Sequence, residues 1–496
     1  MKKEILLMVL LSIAGFFLIL VLTSKYGIGF SSDSLFFVSA SKSLLAGDGY
    51  LKYTGAYYIK WPPLYPTIVA ISSLGLFSVV TVMRYLGAVL FGATIFFSGF
   101  LAYKILHTKI LSVLSSLFIL LSFPLIRVFF YAWTEPLFIL LVLLFFIALI
   151  EFVRNNNVSF LVLTGFFFSM ATLTRYIGVI LIIPAVIAIL VLADHFKFKK
   201  RLLYSVLFTF FSFLPLGIWV LRNYLLSDTL TGFRLPSTFP LSLNLYRFFD
   251  NTEGWLFLST DFFGRSLRIL FIRAVVFIFL PAVFLIFVKK CKRLGKNYFK
   301  SLTLIYSFVI FYSISLVASA SLVAIDPVGY KFLSPIYPFF FLFITFVIDF
   351  GASILKGTFP KVIAHRVFIT LSIVFVLFWG INAGKVLNAE VRKAMKEGVG
   401  NFNKLRYNEK YSSLIEFMKR DYSGEKIYSN NLRVFYALTG LTVKGCNFIQ
   451  DTESSFYLVV FKDKAVPSRV WNLLEHYDMR RSVTFNYAHV YKYEKK

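Results

Sequence analysis

Apolar runs of about 18 residues or more, long enough to cross a bilayer as a helix, recur along most of this chain. Inside lipid every backbone N–H and C=O must find a partner within the protein, and a helix does this segment by segment. The runs therefore predict an all-α polytopic membrane protein with about 11 transmembrane helices. Composition agrees: 58% of the 496 residues are hydrophobic and Phe alone occurs 61 times, against about 45–50% apolar in soluble domains. The predicted spans cover about 5–23, 81–106, 110–127, 135–153, 158–174, 176–193, 202–222, 268–288, 301–323, 332–349 and 366–385. Segment 64–78 is apolar but short, follows Pro62-Pro63 and contains Pro66. It reads as a partly inserted or lumen-lining helix, not a full span. The first run, Ile5 to Leu22, follows Lys2 and Lys3 and lacks a small-residue cleavage site, so it reads as a retained signal anchor.

A net charge of +28 raises the possibility of nucleic-acid binding. The placement of the charges argues against it. With the N-terminus in the cytoplasm, the inner loops hold Lys104 with Lys109, Arg154, Lys197 to Arg201, Lys289 to Arg293 with Lys296, and Lys356, Lys361 and Arg366. That is the positive-inside pattern, and no basic stripe with interleaved aromatics occurs in a soluble stretch. Cys291 and Cys446 fall on opposite sides of this predicted membrane and cannot pair. No CxxC or His cluster marks a metal site.

An odd number of spans places the C-terminus on the non-cytoplasmic side of the cell membrane. The chain then divides into a membrane domain, 1–386, with external loops 24–63 and 223–267, and a non-cytoplasmic domain, 387–496. In this tail charged residues become frequent and β-type runs appear at 425–428, 455–461 and 488–493. Segments 408–420, 431–438 and 467–477 between them read as short helices, predicting a small α/β domain.

Ionisable residues at membrane depth need a reason, and here most spans carry none. They gather at the outer ends instead: Asp33, Lys42, Asp48, Lys52 and Lys60 in the first loop, then Arg127, Glu135, Arg175, Arg222, Asp326 and Lys331. A water-filled external cavity lined by acids and bases accounts for the pattern. Each residue also has a plain structural explanation. Asp33 in Ser31-Ser32-Asp33-Ser34 could cap a helix covering about 34–45. Glu135 in Thr134-Glu135-Pro136 makes a good helix start. Arg175 and Lys331 could snorkel from span ends, and Arg222 sits in an aromatic-belt position. Together, several bases facing one cavity suit an anionic head group such as phosphate or pyrophosphate.

The acid beyond the first span, then Leu44-Leu45-Ala46-Gly47-Asp48-Gly49-Tyr50, then Trp61-Pro62-Pro63-Leu64-Tyr65-Pro66, resembles the GT-C membrane glycosyltransferases. The nearest likeness is to the branch of protein O-mannosyltransferases, the aminoarabinose transferase of lipid A and RgtA-like lipopolysaccharide transferases. Thr134-Glu135-Pro136-Leu137, Leu173-Thr174-Arg175-Tyr176 and Tyr330-Lys331-Phe332-Leu333-Ser334-Pro335 follow in order, so the resemblance covers about 1–350. It implies transfer of a sugar from a polyprenyl-phosphate carrier to an acceptor hydroxyl on a glycan, lipid or protein at the non-cytoplasmic face, with inversion. Asp33 would be the general base, with Glu135 as second catalytic candidate. Arg175 and Lys331 would hold the lipid phosphate, with Tyr330, Lys60, Arg222 and Asp48 as further substrate-binding candidates. The chain has Asp33-Ser34 where O-mannosyltransferases usually have Asp-Glu, and Lys60-Trp61 where the aminoarabinose transferase has Lys directly before its first Pro. Both departures favour the RgtA-like or uncharacterised branches and leave the sugar open.

No cofactor is expected, and Asp33 alone is a thin ligand set for a divalent cation. The alternatives are a flippase or transporter, or a polymerase, of lipid-linked saccharides. Transporters usually show internal repeats and polar groups near the midplane; here no repeat relates the halves and the polar groups sit at the outer ends. The topology predicts that cysteines introduced at positions 33 and 450 react with an impermeant thiol reagent from outside the cell. Reaction of either only from the cytoplasmic side would overturn it.

Overall fold

The computed structural model describes residues 3–257, 296–358 and 408–496, with shorter stretches between 370 and 405. The chain is mostly helical. Among the described residues six helices are long and apolar enough to span a membrane: Lys3–Leu22 (α1), Val79–Ile105 (α4), Glu135–Asn155 (α7), Phe198–Ser227 (α10), Asn297–Leu322 within Lys296–Leu322 (α12), and the stretch Tyr330–Phe350. Two helices precede α4: Ser32–Leu45 (α2) and the short apolar Leu64–Ser73 (α3). The predicted spans 268–288 and most of 366–385 lie outside the described residues, as does Cys291.

Three predicted spans are not single unbroken helices. The one at 110–127 is a pair, Ile110–Leu120 (α5) and Phe123–Phe129 (α6), bent by 61°. Pro124 has no N–H to continue α5, and Ser122 caps the new helix by accepting from the Leu125 N–H at 3.2 Å. Helix Val158–Thr174 (α8) is followed by a broken stretch over 176–193: a 3-10 turn Tyr176–Leu181, a short helix Ile182–Val186 (α9) and a π turn Ile187–Leu192. Pro184 sits inside it. The final span begins as Tyr330–Leu333 (α13) and continues through a 3-10 turn into Tyr337–Thr358 (α14). A helix not anticipated from sequence, Leu241–Phe257 (α11), lies in the second long loop.

Small residues let α1, α4 and α5 approach closely. A Cβ on Gly99 of α4 would meet Met8 of α1 and Ser112 and Ser116 of α5, the latter at 2.0 Å. Ser12 Oγ donates to the Gly92 carbonyl at 2.7 Å, and Ser116 Oγ to that of Ile95 at 3.0 Å. Such contacts replace the hydrophobic drive that lipid removes.

Polar groups fall in two layers. At one end Lys104 pairs with Glu151 at 2.9 Å, Arg154 donates to the Lys104 carbonyl, and Asp349 accepts from the His107 and Thr108 N–H groups at 2.9 and 3.0 Å. Glu135 opens α7 at the other end. The 19 residue steps from Glu135 to Arg154 rise about 28 Å, close to the roughly 30 Å hydrocarbon thickness. The two layers therefore lie about one hydrocarbon thickness apart.

The tail forms a five-stranded sheet in the order β2-β1-β3-β5-β4. Its strands are Lys426–Ser429 (β1), Lys444–Gly445 (β2), Ser455–Phe461 (β3), Tyr477–Thr484 (β4) and Ala488–Lys495 (β5). β1 runs parallel to β2 and β3, and β5 antiparallel to β3 and β4. Helices Ser412–Asp421 (α15), Leu432–Thr439 (α16) and Ser468–Leu474 (α17) accompany it. The three predicted strands and three helices are present; edge strand β4, largely exposed and carrying Arg480-Arg481, lacks the apolar alternation that would announce it.

Replacing Gly99 by Val overpacks the α1–α4–α5 contact, a change that typically costs about 1–3 kcal/mol. Its thermal midpoint in detergent should fall by several degrees; an unchanged melting curve would show that the helices are not in close contact there.

Candidate active site

Asp33 lies in the first turn of α2, one residue inside the helix. The cap is Ser31, whose backbone N–H donates to Ser34 Oγ at 3.0 Å. Asp33 is therefore not consumed in capping, and its carboxylate also gains from the positive end of the helix dipole. The strand-like segment before it is zipped to the segment before α7. Gly29 N–H donates to the Phe130 carbonyl at 2.8 Å, and Ala132 N–H to that of Gly29 at 3.0 Å. Trp133 Nε1 donates to Ser31 Oγ at 2.7 Å. These bonds bring the starts of α2 and α7, and with them Asp33 and Glu135, side by side.

The charged residues form a chain. Lys331 Nζ is 2.6 Å from Asp33 Oδ2, 3.8 Å from Asp326 Oδ2 and 4.0 Å from Glu135 Oε1. Arg175 Nη1 is 2.5 Å from Glu135 Oε1 and donates to Thr134 Oγ1 at 3.1 Å. Thr134 hydroxyl in turn reaches Glu135 Oε2 at 3.4 Å. Thr134 thus makes no side-chain cap of α7; it bridges Glu135 and Arg175 instead. Arg175 occupies the extended break after α8, and Lys331 the single turn α13. Neither snorkels: Lys331 also lies 4.7 Å over the Trp133 ring and Arg175 5.6 Å over that of Phe332. Exposure ranks the acids: Glu135 keeps 1% of its side-chain surface, Asp33 24% and Asp326 69%.

These groups line a cavity of about 430 Å³. Its wall includes Asp33, Lys60, Glu135, Arg175, Asp326 and Lys331, and also Trp61, Tyr176, Tyr312 and Arg234. With Lys60, Arg175, Arg234 and Lys331 against Asp33, Glu135 and Asp326, the fully ionised wall carries one excess positive charge. Arg234 was not a candidate from sequence. It reaches the wall because the loop after α10 runs beside the end of α12, with Ala324 N–H donating to the Leu235 carbonyl at 2.8 Å. Phe233 and Leu235 face outward, 79% and 63% exposed, while Arg234 turns in and donates to the Lys60 carbonyl at 3.0 Å. A lone Arg between apolar residues in a long loop was the available signal. Burial pulls its guanidinium below the usual value, and the nearby Tyr176 and Asp33 oppose that; an arginine stays charged regardless.

Three candidates stand outside the cavity wall. Arg222 donates to the Tyr58 carbonyl at 3.2 Å and lies 4.6 Å over the Trp219 ring, bracing the first loop. Asp48 is exposed in a turn between Gly47 and Gly49. Tyr330 packs under Arg127 at 4.6 Å and near Trp133 at 6.4 Å, behind Lys331. Among the described residues no group of three His, Cys, Asp or Glu side chains could hold a metal ion.

The sequence model of the dolichyl-phosphate-mannose-protein mannosyltransferase family matches residues 60–219. No curated protein matches the chain by sequence. Two crystal structures of ArnT from Cupriavidus metallidurans, one bound to undecaprenyl phosphate and one in the apo state, superpose with a TM-score of 0.62 over 98% of this chain and 97% of that chain, at 10% identity. The chain thus shares the overall fold of those ArnT structures, and it is a multi-pass membrane protein.

Removing one partner of a buried ion pair typically costs about 3–5 kcal/mol. Glu135→Ala should therefore melt well below wild type in detergent, and Glu135→Gln between the two, since the amide keeps the side chain's size and a polar oxygen beside Arg175 but not its charge. Equal melting of Glu135→Ala and wild type would rule out a structural role for the pair.

Proposed function

We propose that the chain is a glycosyltransferase that moves a sugar from a polyprenyl-phosphate donor to an acceptor hydroxyl at the non-cytoplasmic face. The observation that carries this reading is the Asp33–Lys331–Glu135–Arg175 chain in the wall of a cavity with an excess of positive charge. It sits one bilayer away from the basic loops, as an external site requires under the positive-inside rule. The family likeness over 60–219 and the fold shared with a protein that binds undecaprenyl phosphate support the donor class.

The chemistry follows from exposure and charge. Asp33 Oδ2 is held by Lys331, which leaves Oδ1 to accept the proton of an acceptor hydroxyl. The acceptor oxygen attacks the anomeric carbon as the bond to the phosphate oxygen breaks. That electron pair stays on the phosphate, which goes from one negative charge to two. Arg175, Lys331, Lys60 and Arg234 face the cavity where that charge grows, an electrostatic task. Attack opposite the leaving phosphate inverts the anomeric centre. Glu135 is sealed beneath Arg175 and acts by positioning it and Lys331. Asp326, the most exposed of the three acids, lies where the cavity meets solvent. A flippase reading fits less well, because the polar groups sit at one end of the bundle instead of near its midplane.

Loss of a general base costs about 10²–10⁴-fold, so Asp33→Asn should lose transfer to that extent while still binding donor. Arg175→Ala and Lys331→Ala should weaken donor binding in a titration of purified protein. Wild-type transfer by Asp33→Asn would remove it as the base, and unchanged donor affinity in both cation variants would remove their phosphate role.

A further inference from the structure

We infer that the C-terminal domain is a working part of the site, with Tyr436 as a positioning residue that holds Trp61 and the Asp33 helix through the stacked rings of Tyr53 and Phe36. The chemistry in this inference rests on the transferase reading; the geometry does not.

Four rings run from the tail to the cavity. Tyr436, on α16, stacks on Tyr53 of the first loop at 4.8 Å and 19°. Tyr53 stacks on Phe36 of α2 at 5.1 Å and 25°. Phe36 lies against Trp61 at 4.6 Å, and Trp61 lines the cavity. Phe36 is three residues from Asp33, so both lie on one face of α2. The contact is fixed in register by a backbone bond: Val443 N–H donates to the Tyr53 carbonyl at 3.0 Å. Lys42, farther along α2, adds its ammonium 6.0 Å from the Tyr436 ring. Tyr53 and Tyr436 keep only 5% and 4% of their surface.

The loop needs such a brace. Residues 50–58 form a tight hairpin closed by Lys52 N–H to the Ala56 carbonyl at 2.8 Å and Tyr58 N–H to that of Tyr50 at 2.9 Å. Its turn depends on Gly55 at φ +79°. One flank is held by the membrane helices: Tyr50 hydroxyl bonds Thr67 at 2.7 Å and its ring meets Trp219 at 5.0 Å. The other flank is held by Tyr436. The chain then has two residues between Tyr58 and Trp61, with Lys60 among them. Without the tail ring, Tyr53 is stacked on its Phe36 side only, and the spacing of Lys60, Trp61 and Asp33 that this stack holds is loosened.

The test uses full-length protein in lipid nanodiscs with a polyprenyl-phosphate sugar. Small misplacements of reacting groups can cost up to about 10²-fold. Tyr436→Ala should lower kcat at least about tenfold with donor KM nearly unchanged, and Tyr436→Phe, which keeps the ring, should restore it. Tyr53→Ala, which leaves the tail's own core intact, should give the same loss. The double variant should be no slower than the slower single, because both changes break one contact. A second readout needs no transfer: with Lys60→Cys as reporter, thiol labelling at position 60 should speed up in the Tyr436→Ala background. Wild-type kcat in a folded Tyr436→Ala protein, losses that multiply in the double variant, or unchanged labelling at position 60 would each overturn the inference. Faster labelling together with no transfer by wild type would uphold the brace and sink the transferase reading alone.

Discussion

The arrangement depends on two cations at the end of an apolar bundle that must be paired. Lys331 and Arg175 keep 13% and 18% of their side-chain surface, and Glu135 between them keeps 1%. Taking any one of these charges out of water alone costs several kcal/mol, and the cost is recovered only if the partners arrive in good geometry. The partners come from positions 33, 135, 175 and 331, on four segments distant in sequence. The alignment of α2, α7, α8 and α13 is therefore tied to one cluster. Helix packing along Gly92 and Gly99 allows close approach of α1, α4 and α5, but apolar surfaces in lipid slide easily. The charge cluster fixes the register of α2, α7, α8 and α13.

Much of this was readable from sequence because membrane spans announce themselves by length and composition. The outer-end clustering of Asp33, Glu135, Arg175 and Lys331 was visible too, since ionisable residues stand out against apolar helices. Their pairing was not. Nothing local says that Arg175 meets Glu135, 40 residues earlier, or that Lys331 reaches Asp33. Local rules also pointed the wrong way for two residues. A Ser-Ser-Asp-Ser run invites Asp33 as the cap, yet Ser31 holds that place, and a Thr before Glu-Pro invites a cap that Thr134 does not make. The bend at Ser122-Phe123-Pro124 was hidden because both halves are apolar. Arg234 was missed because its position comes from backbone pairing of its loop with residues 322–324, a long-range contact with no periodic signature.

The tail follows the same division. Strand β3 is an apolar run and β1 and β5 carry Ile, Val and Tyr in short β-type patterns that can be recognised, while β4 is an exposed edge whose stability comes from pairing with β5. Its attachment to the membrane domain through Tyr436 and Val443 could not be read at all, because an aromatic in a short amphipathic helix looks like ordinary core. Here Tyr436 does both: it is buried, and what buries it is another domain's loop.

The proposed reaction puts one demand on this network that the charge count makes explicit. Lys331 touches Asp33 at 2.6 Å and lies within 4.0 Å of two further carboxylates. A donor phosphate entering the cavity is a fourth anion competing for the same ammonium. Each unit charge at about 4 Å interacts by roughly 4 kcal/mol at the effective dielectric of a protein surface, so the competition is strong enough to redistribute contacts. If the phosphate draws Lys331 away, Asp33 exchanges a tight ion pair for contact with the acceptor hydroxyl, and does so only when donor is present. Arg175 does not face this choice, since Thr134 and the sealed Glu135 hold it on one side while its Nε remains without a hydrogen bond. In the proposed reaction the two cations therefore suit different tasks: Arg175, held by Thr134 and Glu135, as a fixed contact, and Lys331, shared among three carboxylates, as the one whose contacts a donor phosphate would change.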